Sequence, residues 1–373
     1  MITSLRVRNF KRFLDASFDM RRLTVLTGLN GTGKSTAVQA LLLARQCAHR
    51  RAGEVVELNG PYGLALGEAE EVRHRDAFGS EIEIELAGSH ASEPRTYRLE
   101  VPDDRALHLR VGEGSTGEPL PELTRQGCGF TYLNAERLGP RDRLDVSAER
   151  LDRIGVGVRG EYTAQVLALY ESRQVREPLL YPDTPRTHGV TTLRTQVESW
   201  ASEIIRSIRI TAQWPAGITA STIRFHETGA YGLSEPIRPA NMGFGFSYAL
   251  PVIVAGLLTR PGDVMIVENP EAHLHPGGQS KLGRFLARVA GSGAQVLVET
   301  HSDHVLNGAR LAVAEEGVLA ADDAVIHYFG DEGAEPMPIG LNERGELSEW
   351  PRGFFDQIEY DLGRLARARR SGR

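Results

Sequence analysis

The chain is 373 residues long, carries 43 basic and 49 acidic residues for a formal net charge of −6, and has only two cysteines. At roughly 100–200 residues per domain this is one large or two modest domains, with a core that needs no disulfide framework. Cys47 and Cys128 lack metal-ligand spacing, which points to a reducing, cytoplasmic setting. Composition excludes collagen-like, rod-like and long disordered chains, no apolar run approaches the roughly 18 residues that span a bilayer, and no signal-peptide pattern is visible.

Residues 2–10 alternate Leu5 and Val7 against Arg6 and Arg8, the period of a strand with one wet face. Residues 23–27, Leu-Thr-Val-Leu-Thr, predict a second and more buried strand. It runs into Gly28-Leu29-Asn30-Gly31-Thr32-Gly33-Lys34-Ser35-Thr36, which fits the phosphate-binding loop G-x-x-x-x-G-K-[ST]. Glycines let such a loop fold tightly, so that successive backbone N–H groups point at phosphate oxygens. Asn30, Gly31, Gly33, Lys34, Ser35 and Thr36 are therefore the expected nucleotide contacts. Lys34 supplies a point charge near the β- and γ-phosphates, the Ser35 hydroxyl is a ligand for Mg²⁺, and the helix beginning at Ser35 aims its N-terminal dipole at the anion.

Further along, 81–86 and 96–101 alternate cleanly and predict half-exposed antiparallel strands of one lobe. Phe130–Leu133 predicts another strand. Residues 141–200 hold polar and Pro-rich stretches, including 176–186, and predict a short helical arm with a flexible excursion but no long heptad array. Asn241-Met242-Gly243-Phe244-Gly245-Phe246-Ser247 precedes an apolar helix from Tyr248 to Leu258. Val264-Met265-Ile266-Val267 is a fully buried strand ending in Glu268, followed by Asn269-Pro270-Glu271-Ala272-His273-Leu274-His275. Gln295-Val296-Leu297-Val298 is another, ending in Glu299-Thr300-His301-Ser302. In open α/β sheets ligands sit beyond that strand edge. Residues 324–340 predict terminal strands and 353–370 a closing helix. The last eleven residues hold Arg364, Arg367, Arg369, Arg370 and Arg373, either a solvated tail or a contact for nucleic acid or an acidic partner.

A guanine-reading N-K-x-D element is absent after the loop, since Lys281 lies in Gln-Ser-Lys-Leu. Strand–carboxylate, helix, then strand–histidine resembles ABC-type ATPases, as in the heads of SMC proteins, double-strand-break-repair ATPases and OLD-family proteins. Within that group the chain is most similar to stand-alone bacterial AAA-family ATPases ending in domain-of-unknown-function 3696. The resemblance runs nearly end to end: NFKRF at 9–13, GLNGTGKST at 28–36, YLNAERLGPR at 132–141, GVRGEYTAQVLALY at 157–170, NMGFGFSYALPVIVAGL at 241–257, ENPEAHLHP at 268–276, ETHSDHVLNGARLAV at 299–313 and WPRGFFDQ at 350–357.

That resemblance implies an α/β P-loop NTPase of the ABC/SMC head type, with an antiparallel β lobe and a short helical arm. It implies one split head: an N-terminal lobe over 1–140, an arm over 141–235 and a C-terminal lobe over 236–373. ATP and Mg²⁺ are the implied ligands, and a homodimer sandwiches the nucleotide between one P-loop and the partner's signature segment, here Gly243, Gly245 and Ser247. Ser35 and Glu268 are the implied metal-side residues, and His301 the implied sensor of the γ-phosphate. Glu136 and Arg137 follow a strand whose end carries a Mg²⁺-contacting residue in ABC heads; a surface ion pair is the other reading.

One position departs from the type. ABC heads end the carboxylate strand in Asp-Glu, and here the pair is Glu268-Asn269. Asn269 cannot accept a proton at neutral pH, so the general base is missing from its usual place. Glu271 is the nearest substitute, or else a helix-start carboxylate facing a dipole. Slow hydrolysis follows, with ATP acting mainly as a dimerisation switch. His273 and His275 do not share a helix face and have no third ligand nearby, so packing or a subunit contact is expected. No Toprim D-x-D and no HNH pattern occur in the C-terminal third. An effector of a bacterial DNA-maintenance or anti-phage system is thus expected on a separate protein, with DNA as a further expected partner and no membrane.

Overall fold

A computed structural model of the chain describes residues 1–102, 105–229, 232–330 and 335–370. Strand periodicity produces two six-stranded sheets. The first is antiparallel, in the order Phe13–Asp19, Ile2–Phe10, Glu81–Gly88, Arg95–Glu100, His108–Val111, Val55–Glu57. Leu5 and Val7 are fully buried while Arg6 and Arg8 pair with Asp15 on the wet face. The predicted pair forms in register from Glu81 opposite Glu100 to Leu86 opposite Arg95. Its apolar face packs on Val38, Leu41 and Leu42 of the helix Lys34–Cys47.

The second sheet orders Phe130–Leu133, Val264–Glu268, Gln295–Glu299, Leu23–Gly28 and Ala324–Phe329 in parallel, with Met337–Gly340 antiparallel at its edge. Its central strands are buried throughout, as a parallel sheet covered on both faces requires. Val264 and Ile266 point into the core shared with the antiparallel lobe. Met265 and Val267 point into the other core, with the helices Phe244–Leu258, Pro276–Gly291 and Asp303–Ala314. All five parallel strands end at one edge, which therefore gathers the P-loop, Glu268, Glu299 and His301. Glu268 and Glu299 are direct register partners, and the Glu299 strand lies between the Glu268 strand and the P-loop strand.

Residues 141–235 hold the helices Thr163–Tyr170 and Leu193–Ile204 and a hairpin pairing Arg209–Gln213 with Thr222–His226. They lie on the body of the head. The Trp200 ring packs edge-on to Phe285 at 4.9 Å, and Trp200 Nε1 donates to the Leu179 carbonyl. Arg176, at the start of the Pro-rich stretch, donates to the carbonyls of Thr259 and Ser292. That stretch is anchored by part-buried charge-assisted bonds, which is why it does not form the flexible excursion its composition suggested.

The C-terminal helix spans Gln357–Arg370 and leaves Ile358, Tyr360, Leu362 and Leu365 more than half exposed, so it does not close the fold. Arg373 lies outside the described residues, as does the Arg370 side chain. Both cysteines are free, and no helix among the described residues is long and apolar enough to cross a membrane.

Candidate active site

The P-loop is shaped by close approaches. Gly28 has φ 129°, and a Cβ there would sit 2.1 Å from the Phe329 carbonyl oxygen on the neighbouring strand. The Leu29 N–H donates to that same carbonyl at 2.9 Å. Gly33 has φ 119°, and its Cβ would meet the Phe13 ring at 2.7 Å. The helix Lys34–Cys47 starts at Gly33 with neither a side-chain cap nor an acidic residue in its first turn. Its leading N–H groups are thus left for an anion. Lys34 is buried and donates to the carbonyls of Gly28 and Leu29; burial lowers its pKa, and the Glu299 charge opposes this.

The Ser35 hydroxyl donates to Glu299 Oε1 at 2.8 Å, not to Glu268. Glu299 is 6% exposed and its Oε2 is buried without a hydrogen-bond partner. Burial first, and then the Glu268 charge, push its carboxyl up to about 7. Glu268 accepts from the Tyr132 hydroxyl at 3.0 Å and from the Ala135 N–H at 3.2 Å; burial raises its pKa against those bonds. Glu271 accepts from Thr300 Oγ1 at 2.7 Å and from the His301 N–H at 2.9 Å. The following helix begins only at Pro276, where His275 caps it by accepting from the Gly277 N–H. Glu271 is therefore a bridge to the histidine strand and not a helix-start carboxylate. Burial, then the Lys34 charge, lower the pKa of His301, which keeps its imidazole neutral at neutral pH.

Asn269 takes φ 44°, and its N–H donates to the Glu299 carbonyl at 2.7 Å, which ties the two strand ends together. Arg137 holds them further. It is 2% exposed and donates to the carbonyls of Asn134, Glu268 and Asn269 at 2.9, 2.6 and 2.6 Å, with its guanidinium 5.3 Å from the Tyr248 ring centre. Burial brings its pKa down to about 10. The surface ion pair considered for this segment belongs to Glu136 alone, which meets Arg159 at 3.4 Å.

The segment Gly243–Ser247 begins the helix Phe244–Leu258 four residues earlier than the apolar run predicts. Gly243 has φ 82°, is exposed with open space around it, and leads a helix start without side-chain cap or acidic residue. Gly245 sits under the His273 carbonyl, where a Cβ would approach to 3.0 Å. Ser247 is half-buried and lines a small cleft with Leu138, Thr163 and Pro251. The His273 ring packs 5.0 Å from Phe244 and 4.6 Å from Tyr248. His273 thus packs between two aromatic rings, and His275 caps the following helix. The loop 269–275 thus links the Gly243 helix start to His301.

Two features lie in segments that carry the resemblance but have no role assigned from the sequence. Glu299 looks like one more strand residue before the histidine. Residues 353–357 come from the far end of the chain, yet with Thr27–Leu29, His301 and Tyr328 they wall a cavity of about 350 Å³ beside the P-loop. The Ser35 hydroxyl and the Glu299 carboxylate are adjacent hard-oxygen donors, with the Glu268 carboxylate at the end of the next strand out. The unpartnered Glu299 Oε2 fits a divalent cation that takes its remaining ligands from phosphate and water rather than from a protein cage.

Residues 1–87 match a AAA ATPase domain model. Residues 191–307 match a AAA domain model whose description names the AbiEii toxin and type IV TA systems, and residues 319–365 match a protein family of unknown function, DUF3696. No curated protein matches the chain in sequence. Among solved structures, the Pyrococcus furiosus Smc head domain with an extended coiled coil, bound to the C-terminal domain of ScpA, is 11% identical. The match covers 99% of each chain with a TM-score of 0.51. An SmcHead bound to the C-winged helix domain of ScpA is 12% identical over 91% of this chain and 97% of that one, with a TM-score of 0.50. The chain has the fold of an SMC ATPase head, carries AAA-type ATPase segments on it, and ends in the DUF3696 segment, which together support ATP binding.

Proposed function

We propose that this chain is an ATP-binding, slowly hydrolysing switch subunit that dimerises around ATP and controls a separate effector in a bacterial DNA-maintenance or anti-phage system. The observation that carries the reading is the gathering of the P-loop, Glu268, Glu271, Glu299 and His301 at one edge of one parallel sheet. The loop N–H groups of Asn30 to Thr36 and the Lys34 ammonium bind the phosphates. The Ser35 side of the site would hold Mg²⁺, which would neutralise phosphate charge there. Water attacks the γ-phosphorus, the bond to the β–γ bridging oxygen breaks, and ADP and phosphate leave. Glu271, oriented by Thr300 and the His301 N–H, takes the proton that Asn269 cannot, and the neutral His301 imidazole contacts the γ-phosphate oxygens. A proton acceptor displaced by two residues is the reason for slow turnover.

The exposed, uncapped helix start at Gly243, with Gly245 and Ser247 behind it, closes on the partner's nucleotide. An external effector is supported by the ScpA domains recorded on SMC heads of this fold and by the toxin–antitoxin wording of the AAA model over 191–307. Free thiols accord with a cytoplasmic location. A nucleotide-dependent scaffold with little hydrolysis is the second reading, favoured by Asn269; ATP-gated DNA binding, favoured by the exposed Arg364, Arg367 and Arg369, is the third.

Light scattering on purified protein, with and without ATP, tests this together with phosphate release. The expected result is a monomer that becomes a dimer with ATP and stays one in Glu271→Gln, with slow phosphate release in the wild type alone. ATP-dependent dimers without any phosphate release select the scaffold. ATP-dependent, salt-sensitive DNA binding selects the third reading. A protein unaffected by ATP sinks all three.

A further inference from the structure

We propose that Glu299, and not Glu268, is the carboxylate that completes the divalent-cation position at this P-loop, acting through its bond to Ser35. This rests on the ATP-binding reading and deepens it. The two carboxylates differ in whether each oxygen has a hydrogen-bond partner. Both oxygens of Glu268 already have partners, Oε1 the Tyr132 hydroxyl and Oε2 the Ala135 N–H, both fixed by the neighbouring strand end. Glu299 spends one oxygen on the Ser35 hydroxyl and keeps the other buried with no partner at all. A carboxylate oxygen that is out of water and unpaired costs free energy unless a cation or donor meets it. Within this edge of the sheet it stands beside the hydroxyl that a P-loop offers to Mg²⁺.

Strand order explains how the role moves. The Glu299 strand is hydrogen-bonded directly to the P-loop strand, whereas the Glu268 strand lies one place further out. The Asn269 N–H grips the Glu299 carbonyl, and Arg137 grips the carbonyls of Glu268 and Asn269, so neither strand end is free to exchange places with the other. Glu268 is left as a second, outer carboxylate that the Tyr132 hydroxyl keeps turned toward its own strand neighbour.

The test measures the metal apart from turnover. Mn²⁺ affinity is read by electron paramagnetic resonance on protein saturated with AMP-PNP, and AMP-PNP affinity is read separately in EDTA. Glu299→Gln is expected to weaken Mn²⁺ about 10–100-fold, the effect of removing a partner that orients a metal ligand, while metal-free nucleotide affinity stays within about twofold. Glu299→Asp keeps the charge and is expected to recover part of the Mn²⁺ affinity, which separates the carboxylate from a merely structural bond to Ser35. Glu268→Gln is expected to change Mn²⁺ affinity less than about threefold. Wild-type Mn²⁺ affinity in Glu299→Gln, or an equal or larger loss in Glu268→Gln, overturns the assignment. A wild-type protein that binds no AMP-PNP overturns the ATP-binding reading itself, and that outcome is visible before any variant is compared.

Discussion

Arg137 is the residue whose loss should do most to the site without touching the nucleotide. Its guanidinium satisfies three backbone carbonyls, two of them at the buried end of the carboxylate strand. In Arg137→Ala those carbonyls lose their donors, and each unsatisfied buried group costs about 1–3 kcal/mol. Removing a charge that was costly to bury offsets part of this, since burial brings the Arg137 pKa down to about 10. A net loss of about 3–6 kcal/mol is expected. At roughly 2.1 cal/mol/K per residue, unfolding 373 residues carries an entropy of roughly 0.8 kcal/mol/K, so the melting temperature should fall by about 4–8 °C. Arg137→Lys keeps the charge but not the planar fork and should fall between the two. Scanning fluorimetry and phosphate release are measured together, and both should drop. A variant that melts within a degree of wild type yet loses hydrolysis would refute the framework role and place Arg137 in the chemistry.

Three further expectations follow from the same edge of the sheet. Glu299, raised from 4.5 to about 7 by burial, contributes stability that is fully present below pH 4.5 and is lost as pH rises through 7. That difference is worth roughly 3 kcal/mol, so metal-free protein should melt lower at pH 8 than at pH 5, and Glu299→Gln should flatten the slope. Glu271→Gln should lower phosphate release about 100-fold or more if it accepts the proton; rapid turnover abolished by Glu268→Gln but kept by Glu271→Gln would reverse the assignment. Gly33→Ala forces a Cβ onto the Phe13 ring at φ 119° and should abolish nucleotide binding in a fluorescence titration while costing about 1–3 kcal/mol in urea melts.

The fold was legible where chemistry is local. A strand feeding Gly28–Thr36, a buried run ending in Glu268 and another ending at His301 each announce themselves within a dozen residues, and the antiparallel pair 81–86 with 96–101 follows from alternation alone. Strand order is not local. Nothing near residue 299 says that its strand lies beside residue 26, so Ser35 was paired with Glu268 in expectation and with Glu299 in the structure. Arg137 was misread for a related reason: arginine is mostly exposed, and only the meeting of three chain segments supplies the carbonyls that let it be buried. The Pro-rich stretch after Arg176 looked mobile because its anchors, Thr259 and Ser292, are more than 80 residues away. Residues 353–357 had a recognisable pattern but no assignable role until they appeared as a wall of the P-loop cavity.

The position of the P-loop strand also sets a timetable for synthesis. The strands that fill the antiparallel lobe all lie before residue 112, so that lobe can form while the chain is still being made. Leu23–Gly28 cannot complete its own sheet then, because both neighbours, Gln295–Glu299 and Ala324–Phe329, come about 270 to 300 residues later. At about 5–20 residues per second, the ribosome leaves this apolar strand without both sheet partners for roughly 15–60 seconds. The nucleotide loop thus leaves the ribosome well before the strands that make it a site, and no chain lacking them can bind ATP as the finished one does.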